Sequence, residues 1–199
     1  MITQDQRPVE GFCQVSIDTG TDTVGVTLLE LDPVSLKMSW RESFTLYGSL
    51  LNYRTANQVL PQYARYARLL GITQALYGYF QQVHPHQVVF EDNYLRFSPA
   101  TFRSLVEAVE AVKSAIWAYN PWLPFYTIKA NAAKAAVGAL APRGTPNHDK
   151  ELVRKGVASC GKLAIPPDAL AGMSEHAVDS VAIGICALEQ LIKELTTQG

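Results

Sequence analysis

Apolar and polar residues alternate along residues 12 to 19 (FCQVSIDT) and again along 23 to 31 (TVGVTLLEL), and Thr19-Gly20-Thr21-Asp22 between them has turn composition. This predicts an antiparallel hairpin. Asp32-Pro33 breaks the second run, and residues 37 to 46 (KMSWRESFTL) predict a third strand of mixed polarity, suited to a sheet edge. From 60 to 83, Leu60, Tyr63, Ala64, Ala67, Leu70, Ile72, Leu76 and Phe80 recur at near-helical spacing and predict a long helix that Gly71 and Gly78 weaken. Residues 86 to 90 (HQVVF) form a short apolar run after a proline, the pattern of a strand buried on both faces, and the run ends on Glu91.

Ser98 as N-cap and Pro99 as first helical residue open a second long helix through Leu105, Val109, Val112 and Ile116 to Tyr119, where Asn120-Pro121 stops it. Residues 124 to 128 (PFYTI) predict a fifth strand. NAAKAAVGAL and HDKELVRKGVASC predict two shorter helices around the breaker APRGTPN, and a last helix begins at Ser174 with Val178, Val181, Ile185, Leu188 and Ile192 as its buried stripe. Strands joined by hairpins, then helix, strand, helix, strand and helices, imply an α/β fold around a five-stranded mixed sheet.

With 199 residues, 48% of them hydrophobic, the chain is long enough for a full core, and a single domain over 1–199 is expected. Cys13, Cys160 and Cys186 are an odd set without a C-x-x-C pair, which argues against a disulfide framework or zinc knuckle and favours a reducing compartment. The first residues, MITQDQRPVEG, lack a signal pattern, and no run reaches the roughly 18 apolar residues of a membrane span, so a cytoplasmic location, in a bacterial or virus-infected cell, is expected. A formal net charge of −1 hides a locally basic stretch: Lys129, Lys134, Arg143, Lys150, Arg154, Lys155 and Lys162 stand against Asp149 and Glu151 alone. That stretch is either a polyanion-binding surface or a solvated helix face.

Two carboxylates, Asp18 and Glu91, fall at the ends of predicted central strands, where α/β sheets place their sites. His176 and Asp179 lie three residues apart on one face of the last helix, near its N-terminus, and can reach toward those strand ends. Taken singly, Asp18 could cap its turn, His176 could be a solvated helix-end residue, and Asp179 could complement the helix dipole. Taken together, an oxygen-rich set with one imidazole suits magnesium or manganese and points to phosphodiester hydrolysis. Two ions per site are expected, with Asp18 between them, Glu91 on one, and Asp179 and His176 on the other.

IDTGTDTVGV, VVFEDNYL and EHAVDSVAIGI resemble, in sequence and order, the three acidic motifs of the RuvC family of Holliday junction resolvases, within the RNase H-like nuclease superfamily. The resemblance spans most of residues 12 to 193 and implies an RNase H-like sheet with helices on both faces. It also implies a metal-dependent endonuclease for branched DNA, the four-way junction above all, acting as a homodimer. Catalytic and metal-binding roles carry onto Asp18, Glu91, His176 and Asp179, with histidine at a position the family fills with Asp or His, a variety that leans toward manganese. Tyr94 resembles an aromatic that stacks on an unpaired base at the exchange point. Lys150 resembles a catalytic lysine near the scissile phosphate, and Lys134 and Arg154 join it as expected DNA contacts.

The chain departs from the family in two places. Glu107 and Glu110 stand in a helix where relatives carry glycines, and the interval from Asp18 to Glu91 is long, with the excess assigned to residues 41 to 60, including Arg41 and Arg54. Two other classes stay open on the residues alone. DTGT also resembles the phosphate-binding turn of the actin and sugar-kinase superfamily, and a non-catalytic RNase H-like scaffold would share the fold.

Overall fold

The computed structural model of the chain describes residues 11–51, 64–92, 99–140 and 150–197, with Ala100 and Lys150 described by backbone alone. β1 (Phe12–Asp18), β2 (Thr23–Leu31) and β3 (Met38–Tyr47) run as an antiparallel meander. A short helical turn, α1 (Gly48–Leu51), follows, then α2 (Ala64–Val83), β4 (Gln87–Glu91), α3 (Pro99–Tyr119) and β5 (Phe125–Ile128). Four helices complete the chain: α4 (Ala130–Ala136), α5 (Lys150–Ser159), α6 (Pro167–Gly172) and α7 (Glu175–Thr197). The strand order is β3-β2-β1-β4-β5, with β1, β4 and β5 mutually parallel and the meander antiparallel.

This is the expected five-stranded mixed sheet, and the alternation read from the sequence sets its two faces. Cys13, Val15 and Ile17 of β1, Val24 and Val26 of β2, and Val88 and Phe90 of β4 share one core with Ile72, Leu76 and Phe80 of α2 and Val109, Val112 and Ile116 of α3. Leu29, Leu31, Val89 and Ile128 face the other way, into a second core built on α7 with α4 and α5. Because successive side chains alternate across a strand, every even-numbered residue of β1 points at α7. Those residues are Phe12, Gln14, Ser16 and Asp18, so beyond Phe12, which packs against the α7 core, the central strand presents three consecutive polar side chains to the most buried helix.

That polarity is satisfied by α7. Gln14 Nε2 donates to the Gly184 carbonyl at 3.0 Å, Ser16 Oγ donates to the Ser180 carbonyl at 2.8 Å, and the Thr27 and Ser180 hydroxyls meet at 2.7 Å. A Cβ on Gly184 would stand 2.6 Å from Ser16 Oγ, so the helix lies against the strand only because that position has no side chain. The bonds are directional, whereas apolar burial alone is not, and they set the height of α7 along β1.

The structure revises several boundaries. The long helix expected over 60 to 83 is present over Ala64–Val83, and residues 60–63 lie outside the described set, as do Ser98 and the breaker at 141 to 147. Residues 41 to 47 of the supposed insertion belong to β3, and Arg41 pairs with Glu30 across the meander, while Arg54 is outside the described residues. The first short helix ends at Ala136, because Gly138 adopts φ +70° and its N–H turns back to Ala135 O at 3.0 Å. Helix α6 has no counterpart in the sequence reading. Glu107, noted as a departure, is turned inward and paired with Arg65 of α2 at 2.6 Å.

Candidate active site

Parallel pairing of Ile17 with Phe90 places the next residues, Asp18 and Glu91, side by side at the ends of β1 and β4 on the α7 face. Asp18 is 7% exposed, and Glu91 is half-buried. Helix α7 is opened by Ser174, whose Oγ accepts the Ala177 N–H at 3.2 Å, the bond expected of an N-cap. Its first turn then sets His176 Nδ1 2.6 Å from Asp18 Oδ2. Asp179, three residues on, is the next acid on the same side.

Gly25 makes this approach possible. It is the cross-strand partner of Asp18, and a Cβ placed on it would lie 1.9 Å from the His176 carbonyl oxygen. The helix backbone therefore rests directly on the strand backbone, one strand over from the acid that its imidazole must reach.

The charges are poorly accommodated as a set. Burial, followed by the neighbouring Asp18 and Asp179 charges, pushes the Glu91 carboxyl up to about 8. Burial and then Asp18 push Asp179 up to about 6, while the Lys134 ammonium pulls both acids down. His176 moves upward because its hydrogen bond to Asp18 favours the imidazolium. Carboxylates that repel one another in a low-dielectric pocket form a donor set suited to a hard divalent cation. The acids share the pocket without closing on one point: no group of three or more His, Cys, Asp or Glu side chains among the described residues is arranged to hold a metal ion. The chemistry of the donor set fits such ions; the closed coordination geometry is absent.

A pH prediction follows for the protein in chelator. Glu91 is half-buried and its folded pKa lies above its unfolded value, so its contribution to stability is complete below about 4.5 and is lost as pH rises through about 8. We expect the metal-free protein to lose about 2 kcal/mol between pH 5 and pH 8.5, and Glu91→Gln to flatten that slope. Urea unfolding at the two pH values checks it, and an equal slope in both proteins would contradict the assignment.

The other expected DNA contacts are distributed differently. Lys134 of α4 is close enough to act on Glu91 and Asp179. Lys150 is the first residue of α5, with only its backbone described, and Tyr94 lies outside the described residues. Arg154 turns inward: one nitrogen donates to the Met173 carbonyl at 2.8 Å and another to the Leu170 carbonyl, which ties α5 to the α6–α7 turn. Lys162 bonds the Ala136 carbonyl at 2.5 Å and pairs with Glu189 at 2.6 Å, so the basic stretch is partly structural. Arg154→Ala should therefore destabilise the fold by about 1–3 kcal/mol, measured by denaturant midpoint, with an unmoved midpoint as the contrary result.

Sequence reasoning missed Gly25 and the polar seam beneath α7. The available signal was the set of small residues Ala177, Ser180 and Gly184, three and four apart on one face of an otherwise apolar helix.

The architecture is an RNase H-like fold of the RuvC type. RuvC from Thermus thermophilus, in complex with Holliday junction substrate, superposes with a TM-score of 0.63 at 16% identity, covering 91% of this chain and 96% of that one. The yeast mitochondrial Holliday junction resolvase Ydc2 gives 0.59 at 12% identity, covering 98% and 89%. The fowlpox virus resolvase, solved with substrate Holliday junction DNA, gives 0.56 at 12% identity, covering 90% and 99%. No family model and no curated protein matches the chain. No helix among the described residues is long and apolar enough to cross a membrane.

Proposed function

We propose that this protein is a metal-dependent, structure-selective endonuclease that hydrolyses phosphodiester bonds in branched DNA, with the four-way junction as its preferred substrate. The observation that carries the reading is the neighbourhood of Asp18 at the carboxyl end of the two central parallel strands, where His176 bonds it and Glu91 and Asp179 lie close enough to feel its charge. Proteins of the same fold bound to junction DNA support the substrate class.

Asp18, Glu91, Asp179 and His176 are the residues that would hold the ions, Mg2+ or Mn2+, and Asp18, whose charge acts on the other three, is the one that would be shared. Such ions polarise the phosphate and lower the pKa of an attacking water. The residues of the chain prepare for that event. Partial burial of Glu91 and Asp179 lowers the local dielectric, the β1–β4 register fixes the spacing of two acids, and the His176 bond to Asp18 fixes the orientation of a third group. Lys134 supplies positive charge beside the acids, where a phosphate oxygen would enter. Lys150 opens α5 and is retained as a contact to the phosphate, and Tyr94 as a stacking residue. A homodimer is proposed because paired incisions across a two-fold junction need two such sites.

The test is incubation of purified protein with four-way junctions, flaps, linear duplex and RNA–DNA hybrid, under manganese and under magnesium. Metal-dependent cleavage of junctions well above linear duplex is expected. Cleavage of none of them, under either metal, would overturn the proposal.

A further inference from the structure

A cleft of about 650 Å³ opens between β3 and the α6–α7 turn, beside the site but not part of it. Its size is that of a small-ligand pocket. Sheet register ties it to the acids: Glu91 lies beside Asp18, Asp18 pairs with Gly25, and Gly25 pairs with Thr45, all on the α7 face. Thr45 Oγ1 meets Ser174 Oγ at 2.5 Å at the floor of the cleft, so the residue that caps α7 also closes this space. Two strand spacings, about 10 Å, separate Thr45 from Asp18.

The cleft is walled by Trp40 and Tyr47 on β3 and by Asp168 and Met173 on the opposite side. Trp40 donates its indole N–H to Ser43 Oγ at 2.9 Å, which fixes the ring, and Tyr47 is 45% exposed. Arg154 holds the Leu170 and Met173 carbonyls, which keeps the facing wall in place. Aromatic faces and a thioether suit a flat ring. Asp168, exposed at the rim, only accepts hydrogen bonds when ionised and repels phosphate, so it keeps the sugar-phosphate chain out while accepting an amino group from a base edge.

We infer that this cleft is a subsite for a nucleobase flanking the scissile phosphate, selective for bases that carry an exocyclic amino group over thymine. The inference rests on the nuclease reading above and goes beyond it by assigning a base preference to residues outside the acidic site.

The experiment uses four-way junctions in which the bases flanking the cut are permuted, compared in single-turnover cleavage by wild type and Asp168→Ala. A second arm follows Trp40 emission in the Trp117→Phe/Trp122→Phe protein as junction is added in chelator, since the chain has three tryptophans and the other two are exposed elsewhere. Junctions with an amino-bearing base at one flanking position should be cut about tenfold faster than those with thymine, the size of one hydrogen bond to a charged acceptor. Asp168→Ala should bring the ratio to within about twofold, and bound junction should change Trp40 emission. A base preference untouched by Asp168→Ala, or Trp40 emission unmoved by bound junction, overturns the subsite while cleavage itself leaves the nuclease reading standing. Absence of cleavage and of junction binding in the wild type removes both.

Discussion

Asp18→Asn should reduce junction cleavage by at least about 10³-fold while leaving junction affinity within a few-fold of wild type. The asparagine keeps the size of the side chain and an oxygen that can still accept from His176 Nδ1, now 2.6 Å away, so the geometry at the start of α7 survives. What disappears is a negative charge at the centre of the cluster, and with it the ability to draw cations to the phosphate. The same substitution should raise stability in chelator at pH 8, because Asp18 is among the charges that push Glu91 up to about 8 and Asp179 up to about 6. A more stable but inactive protein is the signature of a functional acid held under repulsion, and a merely structural aspartate would give the opposite pairing. Measurement of single-turnover cleavage, junction affinity and urea midpoint on one preparation checks all three. Cleavage at the wild-type rate would remove Asp18 from the mechanism.

Gly25→Ala is expected to be nearly as damaging to activity without touching a charged group. Its new methyl would fall 1.9 Å from the His176 carbonyl and 2.8 Å from the Ala177 nitrogen, both backbone atoms of α7 that no rotamer change can move aside. The helix must lift or the strand must bend. Lifting breaks the reach of His176 to Asp18 and strains the bonds from Ser16 and Thr27 to Ser180. We expect a loss of about 3 kcal/mol or more in stability and of about 100-fold in cleavage, since misplacement of a reacting group by about 1 Å costs that much. Val24→Ala, a neighbour facing the opposite core, supplies the control: it should lower stability by about 1–3 kcal/mol with far less effect on single-turnover cleavage below its melting range. Equal losses of activity in the two variants at matched stability would show that Gly25 acts through the fold alone.

The cost of the acidic cluster explains why the surroundings are polar and rigid. Three acids near one another favour a lifted helix, and α7 is held down by hydrogen bonds from Gln14, Ser16 and Thr27 in addition to its apolar stripe. Losing one of these bonds leaves a buried polar group unpaired, which costs more than an intact bond contributes. The arrangement resists displacement of α7 in either direction along β1, the coordinate that matters for His176.

Much of this was legible in the chain itself. Period-two alternation named the first two strands, mixed polarity the third and short apolar runs the last two, and turn and breaker residues placed the meander ahead of the helical half, because these signals are local and act over a few residues. The positions of Asp18 and Glu91 at strand ends followed from the same patterns, alternation for the first and the apolar run HQVVF for the second. The sequence alone also determined the acid and imidazole content of α7 and its N-cap at Ser174. Only the tertiary structure decided which face of the sheet those acids share, that Gly25 lets α7 rest on β2, that Arg154 and Lys162 are spent on carbonyls inside the molecule, and that a cleft lies beyond Thr45. Each depends on strand register and on distances between residues far apart in the chain. No propensity or spacing encodes those distances, since they arise when two faces, each satisfactory on its own, are pressed together and must find room for backbone, charge and hydroxyl at once.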